Sequence, residues 1–145
     1  MNLFGVMEIS ASALAAQRAR AEVATANLAN AETTRTEEGG PYRRKLVVFG
    51  SRLPRFQLAL QNARTGSSNP RGVEVRQVVE DTAPPIMRYD PGHPDADAEG
   101  YVAYPNLNPA TEMVDLMGAV RSYEASAAAV NATKQMIQSS MDLVR

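Results

Sequence analysis

The spacing of apolar residues in the last third of the chain is the feature that most constrains the fold. From Met113 to Val144, ten positions follow one another at alternating intervals of three and four residues, and nine of them are apolar. This spacing is typical of a helix that packs an apolar seam against another helix. Asn108 and Pro109 predict where the helix begins, because asparagine caps helices and proline suits the first helical position. The ten positions are Met113, Leu116, Val120, Tyr123, Ala127, Val130, Lys134, Ile137, Met141 and Val144.

The first 36 residues predict a second helix of different character. They contain no proline, and ten of the 21 residues from Ala11 to Ala31 are alanine, which has the highest helix propensity. Small side chains on most faces favour a helix packed among several neighbours. We expect it to end near Asn30, before a threonine-rich segment that favours turns. Its weaker seam consists of Leu3, Met7, Ser10, Leu14, Gln17, Ala21, Ala24, Leu28 and Ala31.

The middle of the chain has a turn-rich composition. Residues 37–109 hold all nine prolines and seven of the nine glycines. Short strands are predicted over 42–49 and 73–79, and an extended, turn-rich connection over 84–109. The expected fold is therefore mainly α, with a small β-containing middle. Each terminal helix would be about 50 Å long, which is long for a chain of 145 residues, so we expect the helices to need partners from other chains.

The composition excludes several classes of function. The chain has no cysteine and one histidine, which excludes disulfides, thiolate zinc sites and thiol nucleophiles. Its net charge of −1 gives no bulk attraction to nucleic acid. No window approaches 18 apolar residues, so we expect no membrane span. The first eight residues lack a basic region, and we expect no secretory signal there.

Residues 90–100 contain the one candidate chemical site. Asn106 would occupy position 12 of a calcium loop there, where a bidentate glutamate is needed. His93, with Asp90 or Asp95, could bind a metal or act as acid and base, but a lone histidine in such a segment is more often a turn residue. We therefore expect no metal, cofactor or catalytic residue, and a metal- or calcium-binding module or enzyme is the alternative. The residues that match calcium-loop positions 1, 3, 5 and 6 are Asp95, Asp97, Glu99 and Gly100.

Charge is distributed unevenly along the middle. Residues 41–76 carry eight basic side chains and one acidic, whereas residues 80–99 carry six acidic and one basic. These blocks indicate either complementarity between subunits or a solvated surface with no role. The basic run 43–45 is too short to predict a nucleic-acid site.

Two segments of the first helix, 10–18 and 26–31, resemble the N-terminal signature of bacterial flagellar rod, hook and hook-associated proteins. Further segments are more specifically similar to the proximal rod members of that family. The stretch 50–72 is least like them, and we expect an expanded loop there. The more specific segments are 33–45, 90–97, 100–102, 105–106, 112–115 and 121–125.

The resemblance implies a structural subunit without catalytic activity. Helices within 1–36 and 110–145 would pair as an antiparallel coiled coil and form one discontinuous domain, with 37–109 as a central domain lying outward. The implied partners are copies of the chain, other rod proteins and the basal-body ring and export apparatus, with no nucleic acid and no direct membrane insertion. The implied location is the basal body, in a rod that crosses the periplasm, reached through type III export without a cleaved signal.

The seams and the family signature together predict the residues of an assembly interface. They come from both terminal helices. They are Leu3, Met7, Leu14, Asn27, Leu28, Asn30, Met113, Leu116, Val120, Tyr123, Val130, Ile137 and Met141.

Overall fold

The computed structural model of the chain describes residues 3–52 and 72–142. These residues form two long helices of 27 and 34 residues, separated by four short strands. The predicted class, mainly α with a small β-containing middle, is confirmed. The elements, in chain order, are α1 (Leu3–Ala29), β1 (Lys45–Ser51), β2 (Val73–Glu80), β3 (Ile86–Tyr89), β4 (Tyr101–Tyr104) and α2 (Pro109–Asp142).

The two helices pack against each other in antiparallel orientation. Arg20 Nη2 donates a hydrogen bond to Asp115 Oδ1 at 2.8 Å, and Asn27 Nδ2 donates to Glu112 Oε2 at 2.9 Å. Because the later residue of α1 meets the earlier residue of α2, the helix axes run in opposite directions. The pairing of the terminal helices is therefore as predicted.

Both helix boundaries lie where the sequence predicts them. The Asn108 side-chain oxygen accepts from the Ala110 amide at 2.9 Å, which is the capping contact expected one residue before Pro109. Helix α1 ends at Ala29, and the Asn30 side chain donates to the Ala26 carbonyl at 2.9 Å. The Asn30 amide donates to the same carbonyl at 3.1 Å, so Asn30 binds the last turn of α1 through both its main chain and its side chain.

Strands β1 and β2 form an antiparallel hairpin that matches the two predicted strands. The register runs from Lys45 opposite Glu80 to Ser51 opposite Val73. It shifts by one residue after Val48, and the shift leaves Arg76 as the extra residue of a bulge. Most of the predicted loop 50–72 lies outside the described residues.

A second antiparallel hairpin, β3–β4, lies within residues 84–109, where the sequence predicted an extended, turn-rich connection and no particular strand. Tyr89 lies opposite Tyr101. All six prolines of that stretch fall outside the two strands, so the segments between them keep the tyrosine, isoleucine and valine content that favours strands. Gly100 sits before β4 with a φ of +84°, and a Cβ there would lie 2.9 Å from the Tyr89 ring. The high proline content of residues 84–109 as a whole therefore did not indicate the two short strands between the prolines.

The core of the described residues is small. Its buried apolar residues are Ala16, Ala24 and Ala119 on the helices and Val102 on β4, whereas many large apolar side chains are exposed. Neither described helix combines the length and hydropathy needed to cross a membrane. The helix pair thus buries mainly small side chains and leaves larger ones on its surface.

Candidate functional site

Asn27, near the end of α1, makes the central contact between the helices and the strands. It is 1% exposed, and its Nδ2 donates to the Lys45 carbonyl at 2.8 Å and to Glu112 at 2.9 Å. Its Oδ1 accepts from the Lys45 amide at 2.9 Å and from the Tyr42 hydroxyl at 3.0 Å. The carboxamide thereby uses both donors and both acceptor positions. Because the carboxamide bonds both the amide and the carbonyl of Lys45, it pairs with the outer edge of β1 as the backbone of a neighbouring strand would.

Glu112, in the first turn of α2, is the charged counterpart of Asn27. It is 2% exposed, and its Oε1 accepts from Arg44 Nε at 2.7 Å and lies 2.6 Å from Arg44 Nη2. Asp115 Oδ2 lies 3.6 Å from the same Nη2. Burying a carboxylate is unfavourable unless it is paired and hydrogen-bonded, and here Arg44 and Asn27 do both. We call Asn27, Tyr42, Arg44 and Glu112 the Asn27 cluster.

Tyr42 belongs to the Asn27 cluster as a donor. Burial raises the pKa of Tyr42 above its ordinary value of 10.0, and the negative charges of Glu80 and Glu112 raise it further. The phenol therefore keeps its proton at neutral pH and donates it to Asn27. The cluster joins α1, β1 and α2 through groups that all have defined donor or acceptor roles.

The buried face of α2 is offset by one residue from the predicted seam at three positions. Its most buried residues are Glu112, Ala119 and Thr133, each one residue before a predicted seam position. Since Ala119 and Thr133 are small, and α1 likewise buries Ala16 and Ala24, the helices can approach closely there. Three other positions of the predicted seam, Leu116, Val130 and Ile137, are half-buried as expected for a helix contact.

The shift leaves a stripe of large apolar side chains on the outside of α2. Met113 and Met117 are 51% and 54% exposed, and Val120 and Tyr123 are each 43% exposed. We call these four residues the methionine stripe. Contiguous exposed apolar side chains of this size mark surfaces that other proteins cover.

The other predicted interface residues occupy three settings. Those of α1 and the following turn (Leu3, Met7, Leu14, Leu28 and Asn30) are half-buried. Met141, near the end of α2, is exposed. Asn27 is buried inside the chain, and its side-chain hydrogen bonds run to Tyr42, Lys45 and Glu112 of the same chain.

Sequence reasoning missed the roles of Tyr42, Arg44 and Glu112. Asn27 and Glu112 are 85 residues apart in sequence, and Arg44 and Glu112 are 68 apart, so no local spacing connects them. The family-like segments 33–45 and 112–115 contain these residues but do not show that they meet. A glutamate in the first turn of a helix is common, because its charge is favourable at the positive end of the helix dipole.

The carboxylates of segment 90–100 organise turns. The His93 Nδ1 accepts from the Asp95 amide at 3.1 Å, and Asp95 accepts from the Thr34 hydroxyl at 2.8 Å. Asp97 Oδ1 accepts from the amides of Glu99 and Tyr101 at 2.9 and 2.8 Å. Within residues 3–52 and 72–142, no three histidine or acidic side chains are arranged to hold a metal ion.

Comparisons with known proteins identify the class to which this arrangement belongs. Residues 98–143 match the family model described as flagellar basal body rod FlgEFG protein C-terminal. Residues 7–35 match the model described as flagella basal body rod protein. The two matches fall mainly on the two paired helices, so the helix pair is that of a flagellar basal-body rod protein.

Full-length relatives narrow the class further. The chain is 45% identical over 148 residues to the flagellar basal-body rod protein FlgC of Bacillus subtilis, covering 99% of both chains. It is 36% identical to that of Borreliella burgdorferi over 100% of this chain and 99% of the relative. It is 42% identical to that of Escherichia coli O6:H1 over 99% and 98%. The chain belongs to the FlgC family of flagellar basal-body rod proteins, whose role is structural and non-enzymatic.

Proposed function

We propose that this chain is a subunit of the proximal part of the flagellar rod, where it transmits torque and forms part of the export conduit needed for motility. The observation that carries the proposal is the methionine stripe. A paired helix that presents methionine, valine and tyrosine to the outside is suited to packing beside further helices. Family membership supplies the setting in which such neighbours occur.

The partners that fit this surface are other rod proteins and further copies of the chain. The ring and export apparatus would join the rod at its base. Helix pairs stacked side by side around an axis would cover the exposed residues of α2, and the rod would cross the periplasm. The near-neutral charge supports protein partners over nucleic acid.

The predicted interface residues divide into two groups under this proposal. Met113, Val120, Tyr123 and Met141 contact neighbouring subunits. The half-buried residues hold the helix pair together and meet neighbours at its edges: Leu3, Met7, Leu14, Leu28, Asn30, Leu116, Val130 and Ile137. Asn27 acts indirectly, by holding α1 against β1 and α2.

We further propose a division into two units. Residues 1–36 and 110–145 form one discontinuous helical domain at the axis, and residues 37–109 form a central domain facing outward. The Asn27 cluster supports this division, because it is the polar junction between the helices and the first hairpin.

Imaging of basal bodies tests the location directly. A small epitope is inserted between residues 65 and 72, in the stretch least like the family, and gold-labelled basal bodies are purified from cells that still swim. We expect label on the rod near its membrane-proximal end. Label confined to soluble, monomeric protein in the cytoplasm would refute the proposal.

A further inference from the structure

One face of the first hairpin carries exposed apolar residues beside an arginine. Leu46 and Val48 are two residues apart on β1 and therefore share a face, and both are exposed. Gly50 continues that face, and a Cβ there would overlap the side chain of Arg76. The Arg76 side chain therefore lies over β1 at Gly50, two residues after Val48. We call Leu46, Val48 and Arg76 the basic face.

The arginines around the basic face have no carboxylate partner among the described residues. Arg52, two residues after Gly50, and Arg76 are exposed, and neither is in an ion pair within 3–52 and 72–142. Glu74 lies opposite Gly50 but makes no ion pair with Arg76 there. The positive charge of this surface is therefore available to another molecule.

The second hairpin carries a face of opposite character. Tyr89 and Tyr101 are directly paired across the strands, so they share a face, and Met87 lies two residues before Tyr89 on the same side. All three are exposed, Tyr89 to 65%. The two rings meet edge to face with centroids 5.4 Å apart. We call Met87, Tyr89, Tyr101 and the adjacent Glu99 the tyrosine face.

Glu99 is an exposed carboxylate two residues before Tyr101 in the chain. Tyr89 lies against the Cβ position of Gly100, and Glu99 is the residue immediately before that glycine. Glu99 and the nearby Asp97 are exposed, and neither is in an ion pair within the described part of the chain. Asp97 already caps the turn, which leaves Glu99 as the carboxylate to pair with a cation.

The two faces are chemically complementary. A guanidinium can stack on a tyrosine ring and pair with a carboxylate at the same time. This chain already makes one such stack internally, since the Arg88 guanidinium lies 5.6 Å from the centre of the Tyr104 ring. The aliphatic residues of the basic face would cover Met87 and the tyrosine rings, which belong to residue types enriched at protein interfaces.

We propose that the basic face of one copy binds the tyrosine face of the next copy. The inference rests on the proposed function, because it describes how copies contact one another in the rod. The two faces are different surfaces, so the contact is head to tail and generates a ring or an open helix of copies. It gives the outward hairpins a role in assembly that is separate from the helix packing.

Cross-linking tests this contact in assembled basal bodies. Because the chain has no cysteine, Arg76→Cys and Glu99→Cys introduce unique thiols into the full chain. Basal bodies carrying both changes in every copy, treated with a short bismaleimide, should yield a ladder of dimers, trimers and larger species. Basal bodies from cells that co-express the two single variants should yield no cross-linked species larger than dimers, because each copy then carries one thiol. Basal bodies that contain either single variant alone should yield no cross-linked species.

The outcomes separate the two proposals. If the chain is present in basal bodies but neither the double variant nor the co-expressed pair cross-links, the head-to-tail contact is refuted and the rod assignment stands. Cross-linking of one single variant with itself would refute the head-to-tail arrangement. Absence of the unmodified chain from basal bodies would refute the proposed function itself.

Exchange of charges gives a second test that does not depend on thiol geometry. Arg76→Glu or Glu99→Arg alone places like charges opposite each other and should lower the amount of the chain in basal bodies by about tenfold. The two changes together should restore most of it. Glu38→Arg, at an exposed acid outside both faces, should have no effect. A double variant no better than the single variants, or single variants without effect, would refute the contact.

Discussion

At the scale of single residues, Asn27 determines how the parts of this chain are joined. Its carboxamide contacts a strand, a tyrosine and a carboxylate of the second helix, all within 3.0 Å. A buried polar group that satisfies several partners specifies one arrangement, because any other arrangement leaves those partners without hydrogen bonds. The residue therefore selects the relative position of α1, β1 and α2.

We expect Asn27→Ala to destabilise the monomer by about 3 kcal/mol, since Glu112 Oε2, the Tyr42 hydroxyl and both backbone groups of Lys45 each lose a hydrogen bond. Urea unfolding followed by circular dichroism measures the change. Asn30→Ala is the matched control at the same helix end, and its loss should be well under half as large. Equal losses of unfolding free energy in the two variants would contradict the proposed role of the buried Asn27 hydrogen bonds in stability.

Tyr42 predicts a dependence of stability on alkaline pH. Its pKa is raised in the folded chain, first by burial and then by Glu80 and Glu112, so the unfolded chain releases this proton at a lower pH. The resulting stabilisation is complete below pH 10 and is lost as the pH rises through the folded pKa. Tyr42→Phe should cost about 1 kcal/mol at neutral pH and make the loss above pH 10 shallower. Parallel curves of unfolding free energy against pH would contradict this.

His93 is expected to matter only for the shape of its turn. Its Nδ1 accepts from the Asp95 amide, so His93→Ala should loosen residues 90–100 without changing the metal content. Metal analysis of the purified protein and its variant, with swimming as a second measurement, tests this. A stoichiometric metal that disappears with the substitution would revive the metal-binding alternative.

At the scale of elements, the helices were predictable and their contact face was only partly so. The three-and-four spacing and the Asn108 cap are local signals, and the cap specified the start of α2 at Pro109. The residues that α2 turns toward α1 depend on the shape of α1, whose small side chains favour Ala119 and Thr133 over Met113 and Val120. Strands β3 and β4 were not predicted, because each has only four residues and the prolines on either side indicate turns.

The methionine stripe should tolerate no charge in the assembled structure. Val120→Asp should abolish swimming while the chain is still expressed, because the exposed side of α2 would then bury a carboxylate against a neighbour. Ile137→Asp should have the same effect through the helix pair. Ser122→Asp adds an equal charge at an exposed site about 200° around α2 from Val120, and it should swim better than either variant. Normal swimming of Val120→Asp would refute the role of the stripe.

At the scale of the whole molecule, a small core and long helices imply that folding is completed by assembly. Few large apolar side chains are buried in the described part of the chain, and the Asn27 cluster stabilises only one end of the helix pair. The opposite ends of α1 and α2 lack a comparable polar cluster among the described residues. Neighbouring subunits would provide the missing burial.

Hydrogen exchange on the monomer tests this expectation. Amides near Asn27 and Glu112 should be protected, whereas those of residues 3–12 and 130–142 should exchange rapidly and become protected only in basal bodies. The comparison within one helix provides its own control, because the sequence around each region is rich in helix-forming residues. Uniform protection of both helices in the monomer would contradict assembly-coupled ordering.

The Asn27 cluster also has a mechanical consequence. In a rotating shaft, the tangential force on an outer layer must pass to the inner layer through whatever joins them. With the first hairpin outside the helices, as proposed, that joint would be the hydrogen bonds of Asn27 and the ion pair between Arg44 and Glu112, which would share the load. Such a joint resists sliding until several bonds break together, and it would give the hairpin and the helices the same angular velocity.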